Sequence, residues 1–165
     1  SRSMPGWQLT AMRGTPYGMA RKLFVSSLGI PCTKPPWGEM TAIDLTTGAI
    51  VWRRPFGTIQ DLSPVPIPGF IARALFGDWG SPFIGGPLVT AAGLTFIGAT
   101  SDYYFRAYDT DSGEELWRYR LDTAAAATPI SYLHEGRQHI AIAVGGHWGM
   151  DMPRGDAVMV FALPD

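Results

Sequence analysis

"AIDLTTGAIVW" at residues 42–52 returns as "AYDTDSGEELW" at residues 107–117, and both read A-x-D-x-x-x-G-x-x-x-W. In each copy an alternating strand runs into an aspartate, Asp44 or Asp109. A turn follows in which Gly48 or Gly113 can take positive φ, and a second strand leaves through Trp52 or Trp117. The aspartate carboxylate is suited to accept hydrogen bonds from the turn's own backbone. The alanine leaves room beside a flat ring, and the indole offers a large apolar face to a neighbouring unit. The pattern predicts a hairpin that docks sideways.

The copies are 65 residues apart, from Asp44 to Asp109, whereas one four-stranded propeller blade usually takes about 40 to 50 residues. An insertion at 58–83, rich in proline and without sustained alternation, explains the difference; within it "FIARALF" is long enough for one or two helical turns. Strand signals then return. "PLVTA" and "LTFIGA" flank an Ala92-Gly93 turn, and "YYFRAYD" with "EELWRYRL" completes a four-stranded unit. "TPISYL" and "QHIAIAV" flank the turn His134-Glu135-Gly136, with Ile140, Ile142 and Val144 on one face. "AVMVFAL" at 157–163 is apolar on both faces and is expected to lie buried between layers. The tally is one partial blade, one complete blade and one lacking its outer strand. Such units bury their faces only by stacking, and three do not close a ring. The chain is therefore expected to be the terminal part of a longer propeller or to multimerise, and the abrupt opening "SRSMPGWQLT" fits the former.

Composition agrees. With 46% hydrophobic and 16% charged residues the 165-residue chain can build a packed core, and 20 glycines with 14 prolines favour short connections between strands over helices. A net charge of −1 gives no electrostatic reason to expect nucleic acid. The single cysteine, Cys32, excludes an internal disulfide and any multi-cysteine metal site, and with no basic neighbour closer than Lys34 it is read as structural. No run approaches the roughly twenty apolar residues that cross a bilayer, and residues 1–20 lack the pattern of a signal peptide.

The repeat resembles the tryptophan-docking motif of the quinoprotein alcohol and sugar dehydrogenases. The ordered segments "GTPYGM", "LGIPCTKPPWGEMTAIDL", "FIGGPLVTAAGLTFIGAT", "DYYFRAYDTDSGEELW", "AAAATPISY" and "VGGH" resemble the C-terminal portion of the membrane-bound glucose dehydrogenase group, which includes quinate and polyol dehydrogenases. The resemblance implies an all-β fold: an eight-bladed β-propeller of which this chain supplies the last two to three blades, with 1–165 a C-terminal fragment of a single domain. It implies an enzyme that oxidises a sugar or polyol, glucose first, by hydride transfer to pyrroloquinoline quinone (PQQ) with calcium or magnesium. Electrons would pass to ubiquinone on the periplasmic side of the inner membrane. The catalytic aspartate, most metal ligands and the membrane anchor are expected upstream, so the isolated chain is expected to be inactive and to depend on the rest of the propeller. Quinate or another polyol is the alternative substrate, and a non-catalytic scaffold propeller is the alternative role.

The same resemblance assigns Ile84, Gly85 and Gly86 to an inner strand near the axis, where small residues let the chain approach a flat cofactor. It also sets Gly145, Gly146 and His147 at a strand end facing the quinone edge, so the cofactor-binding candidates are His147, Gly146, Ile84 and Gly85. A loop histidine satisfied by backbone carbonyls is the competing reading of His147. Trp148 stands where relatives commonly have glycine. Asp151 and Asp156 are read as turn formers rather than metal ligands, His134 and His139 as surface, and Trp37 as a strand-entry packing residue or a rim aromatic. The insertion is read as a rim loop lining the active-site entrance, as a surface that meets the membrane, or as a packed crossover.

Overall fold

Each copy of the repeat folds as a hairpin, and the two copies share a fine detail that fixes how their tryptophans sit. The computed structural model describes residues 7–22, 24–26, 31–59, 71, 79–147 and 152–163. These contain eleven strands: β1 (Gln8–Ala11), β2 (Gly18–Arg21), β3 (Glu39–Ile43), β4 (Ile50–Pro55), β5 (Leu88–Val89), β6 (Leu94–Ile97), β7 (Tyr104–Asp109), β8 (Glu115–Arg120), β9 (Ile130–His134), β10 (Arg137–Val144) and β11 (Ala157–Ala162). Ala42 stands opposite Trp52 and Ala107 opposite Trp117, and in both hairpins the register shifts directly after that alanine. The turns close as the spacing requires: Gly48 and Gly113 have φ of 72° and 69°. Asp44 Oδ1 accepts from the amides of Thr46 and Thr47, and Asp109 Oδ1 from the amide and hydroxyl of Ser112.

The strands form sheets of two (β3-β4), four (β5-β6-β7-β8) and three (β11-β10-β9), with β1-β2 as a separate hairpin. The partial, complete and three-stranded units of the sequence reading are therefore present. The β1-β2 hairpin was not anticipated; its signal is the short "QLTA" and "GMAR" runs around Gly14, which has φ 79°. At the β9-β10 turn Glu135 and Gly136 both have positive φ, 50° and 76°, the backbone of a two-residue hairpin loop.

Two apolar cores lie at the two junctions between sheets. Phe56, Ile97, Ala99 and Tyr108, with Met40 and Phe83 against them, fill the first, between β3-β4 and the four-stranded sheet. Phe105, Leu121, Ala125, Ile140, Ile142 and Val144, with Phe96, Met159 and Phe161, fill the second. Strand β7 is covered on both faces because Phe105 and Ala107 point to one junction while Arg106 and Tyr108 point to the other.

One expectation fails. Strand β11 is not buried between layers: Val158 and Val160 are exposed, and only Met159 and Phe161 reach the core. As the edge of its sheet it has a covered face and an open one. The insertion reading at 58–83, including "FIARALF", falls mostly outside the described residues. Its described ends are packed: Ser81 is fully buried and donates its amide to the Phe56 carbonyl. Trp79 meets Trp37 edge to face at 5.3 Å, which gives Trp37 the packing role. Cys32 is exposed rather than part of a core.

Candidate functional site

Antiparallel hairpins send the β6-β7 turn, the approach to β5, the β8-β9 connection and the β10-β11 connection to the same end of the stacked sheets. There main-chain bonds link the predicted residues in series. Ile84 N–H donates to the Ala99 carbonyl (3.3 Å), Ala99 N–H to the Ala125 carbonyl (2.8 Å), and Gly146 N–H to the Ala124 carbonyl (2.9 Å). The chain thus brings Ile84, Gly85, Gly146 and the adjoining His147 onto one small-residue ladder that crosses the second junction. The part of Ala124 and Ala125 is not apparent from the sequence alone, where the only signal is the run of alanines in "AAAATPISY".

The ladder is tight. A Cβ on Gly85 (φ 148°) would lie 2.8 Å from the Ala99 Cβ, and one on Gly98 would lie 2.8 Å from the Ala125 carbonyl oxygen. On Gly146 (φ 68°) it would fall on the Pro153 carbonyl. The close approach these glycines permit is therefore first of all to neighbouring main chain. Ile84 itself is 44% exposed and forms part of the ladder's open surface.

His147 is held by its backbone, whose carbonyl accepts from the Met152 amide at 3.2 Å. Beneath it Thr123 Oγ1 donates to the Pro153 carbonyl at 2.6 Å, and Gly155 N–H to the Gly145 carbonyl. Its Nδ1 is buried and has no hydrogen-bond partner among the described residues. A buried ring nitrogen left unpaired costs on the order of 1–3 kcal/mol, so a partner outside the described residues is expected, and either the adjoining loop or a ligand can supply it. Trp148 and Asp151 lie outside the described residues. Asp156 is exposed, and among the described residues no group of three or more His, Cys, Asp and Glu is placed to hold a metal ion.

Sequence reading missed one cluster beside the ladder. Arg106 and Asp102, 3% and 1% exposed, form a two-pronged ion pair, Nη1 to Oδ1 at 3.1 Å and Nη2 to Oδ2. Arg106 also donates to Thr100 Oγ1 (2.9 Å) and Glu115 Oε2 (3.1 Å), and its guanidinium lies between the Phe56 and Tyr104 rings. Burial by itself would lower the Arg106 pKa, but the hydrogen bond and charge of Asp102 outweigh it and raise the value. Burial pushes the neighbouring Tyr108 phenol far up, so it stays protonated. Asp102 also accepts from Thr58 N–H, tying the exit of the first sheet to the second. An arginine inside a strand gives no local sign that its partner lies four residues back, across a turn.

A cavity of about 1150 Å³ opens at the opposite end of the second junction, lined among others by Leu94, Trp117, His134, His139 and Phe161. It is separate from the ladder. Surface placement of His134 holds, while His139 is half-buried and stacks on Tyr132 at 5.2 Å.

Comparisons with known proteins agree with this layout. Residues 1–140 match the family described as PQQ: glucose/ethanol/alcohol dehydrogenase, β-propeller domain. The chain is 43% identical over 160 residues to a quinate/shikimate dehydrogenase (quinone) of Acinetobacter baylyi, covering 96% of this chain. It is 41% identical over 152 residues to the quinoprotein glucose dehydrogenase of Escherichia coli, covering 92%. It spans 19% of the length of each. Among solved structures, the quinohemoprotein alcohol dehydrogenase of Comamonas testosteroni superimposes with a TM-score of 0.50 at 28% identity, covering 72% of this chain and 14% of that one.

Proposed function

The chain belongs to the PQQ-type glucose/ethanol/alcohol dehydrogenase β-propeller family, and from that premise we propose that it is the C-terminal part of a dehydrogenase that oxidises a sugar or polyol hydroxyl and passes electrons to a quinone. The observation that carries the reading is the main-chain ladder that brings Ile84, Gly85, Gly146 and His147 together, with His147 Nδ1 lacking a hydrogen-bond partner among the described residues. Bound there, PQQ would supply the acceptor for the hydride leaving the substrate carbon. The part of this chain is to bind and orient. In the tautomer with the proton on Nδ1, His147 donates to a carboxylate or carbonyl of the cofactor, while Gly85 and Gly146 let the main chain beneath pack closely and the exposed Ile84 side chain offers the flat ring an apolar surface.

Glucose is the proposed substrate. Quinate is the second reading, favoured by the 43% identity to the quinate/shikimate dehydrogenase. The catalytic aspartate and the calcium or magnesium ligands are proposed to lie in a longer chain, acting on the periplasmic face of the inner membrane with ubiquinone as acceptor. Among the described residues no helix is long and apolar enough to cross a membrane.

The test is to reconstitute the complete protein with PQQ and calcium or magnesium and follow dye-linked oxidation of glucose, quinate and glycerol. Glucose is expected to turn over fastest; preference for quinate moves the substrate but keeps the chemistry, and no oxidation of any of them refutes the proposal. The 165-residue chain alone is expected to be inactive. His147→Ala is expected to weaken PQQ binding at least about tenfold, as a lost bond to a charged group would; unchanged affinity removes the histidine from the site.

A further inference from the structure

We propose that Arg106, acting through Asp102 and Thr100, is a positioning residue that holds the ladder at the height a planar cofactor needs; this rests on the PQQ reading above. The link between them is a strained turn. Ala99 has φ 69°, and Thr100 N–H closes back onto the Gly98 carbonyl at 2.8 Å, a three-residue turn of the rare positive-φ kind. A non-glycine residue stays in such a conformation only where its surroundings over-determine it.

The surroundings are identifiable on each side. The Ala99 amide and carbonyl are both engaged in the ladder, to Ala125 and from Ile84, and its Cβ leaves no room for one on Gly85. On the other side Thr100 Oγ1 donates to Asp102 Oδ1 and accepts from Arg106 Nη1 at 2.9 Å. Asp102 Oδ1 further accepts from Tyr104 N–H at 3.3 Å, and Ser101 bonds Ser81 by its hydroxyl and its amide. Gly57 has no space for a side chain, because a Cβ there would lie 2.5 Å from the Thr100 methyl. The planar guanidinium meets both carboxylate oxygens and the threonine hydroxyl at once, a geometry an ammonium does not reproduce. Without that fork the turn can relax, and the segment carrying Ile84 and Gly85 moves with it.

The experiment uses the complete apo-protein titrated with PQQ, with the dissociation constant and the visible spectrum of bound PQQ as readouts. The variants are Arg106→Lys, Arg106→Met and Asp102→Asn. Ile140→Val, in the other core, serves as a control for general loss of stability, and Arg118→Met as a control for an arginine near the same Tyr104 ring outside the ladder. The expected result is a PQQ affinity at least tenfold weaker and a shifted spectrum in Arg106→Met and Asp102→Asn, a smaller loss in Arg106→Lys, and wild-type affinity and spectrum in both controls. Affinity and spectrum equal to the controls in the Arg106 variants overturn the proposal, whatever their melting temperatures. Should Arg106→Met not fold, Arg106→Lys and Asp102→Asn decide by the same criterion. Should neither of those fold, amide exchange of wild-type protein at Ala99 and Thr100 decides: protection below that of the strand interiors overturns the proposal, and protection equal to theirs supports it. Failure of the wild-type protein to bind PQQ at all refutes the parent reading instead.

Discussion

The two junctions between sheets are built from the same eleven-residue repeat and end differently. At the first, the Trp52 indole lies on the turn of the next hairpin, close enough that a Cβ on Gly113 would sit 2.7 Å from its ring, and its Nε1 donates to the Thr110 carbonyl at 2.9 Å. At the second, Trp117 has no turn to lie on among the described residues. It meets Phe161 of the next sheet edge to face at 5.3 Å, packs against Phe105 and Tyr119, and is 39% exposed beside the open cavity. The difference teaches that the repeat encodes a donor and an acceptor separately. Its tryptophan is the donor, its Thr110–Gly113 turn the acceptor, and a junction is complete only when consecutive sheets supply both.

That comparison can be broken by substitution in the complete protein. Trp52→Ala removes ring contact and hydrogen bond together and is expected to cost about 3 kcal/mol in denaturant unfolding. Trp52→Phe keeps most of the ring and should cost nearer 1 kcal/mol, the bond to Thr110 being what is lost. Trp117→Ala should cost roughly half as much as Trp52→Ala, since part of its surface is already in water. An equal cost would mean that Trp117 lies on an acceptor turn outside the described residues.

The smallest effect concerns the turns themselves. Asp44 is held below the ordinary carboxylate range by the Thr47 and Thr46 amides, and Asp109 by the Ser112 hydroxyl and amide. A lowered folded-state pKa contributes stability that is present above the unfolded value and lost as pH falls through the folded one. Both turns should therefore loosen only in acid. NMR titration is expected to place both carboxyls below an aspartate in an unstructured peptide, and Asp109→Asn should remove part of the acid-dependent loss of stability. Titration of either aspartate at the unstructured-peptide value would contradict the role given to the turn.

Much of this was legible in the sequence because it is local. Ala107, Asp109, Gly113 and Trp117 lie within one hairpin, so their spacing alone specifies turn, cap and cross-strand pair. The alternation of Ile140, Ile142 and Val144 likewise announced its buried face. For the candidate site, "VGGH" and "FIGGP" carried the family likeness, and the structure links both segments through the alanine ladder. What escaped was whatever depends on partners from different elements: the Arg106–Asp102 pair, the strained turn at Ala99, and the open face of β11, which periodicity cannot distinguish from a buried one.

The sequence by itself determined the hairpins, their order and the family, since dihedral preference and period act over a few residues. Only the tertiary structure decided which tryptophan lies on a turn and which stays half in water, and that a histidine nitrogen is buried without a partner among the described residues. Those outcomes depend on surfaces of different sheets meeting, as Trp52 and Thr110 do at a separation of 58 residues, and on whether the next sheet offers a complementary face.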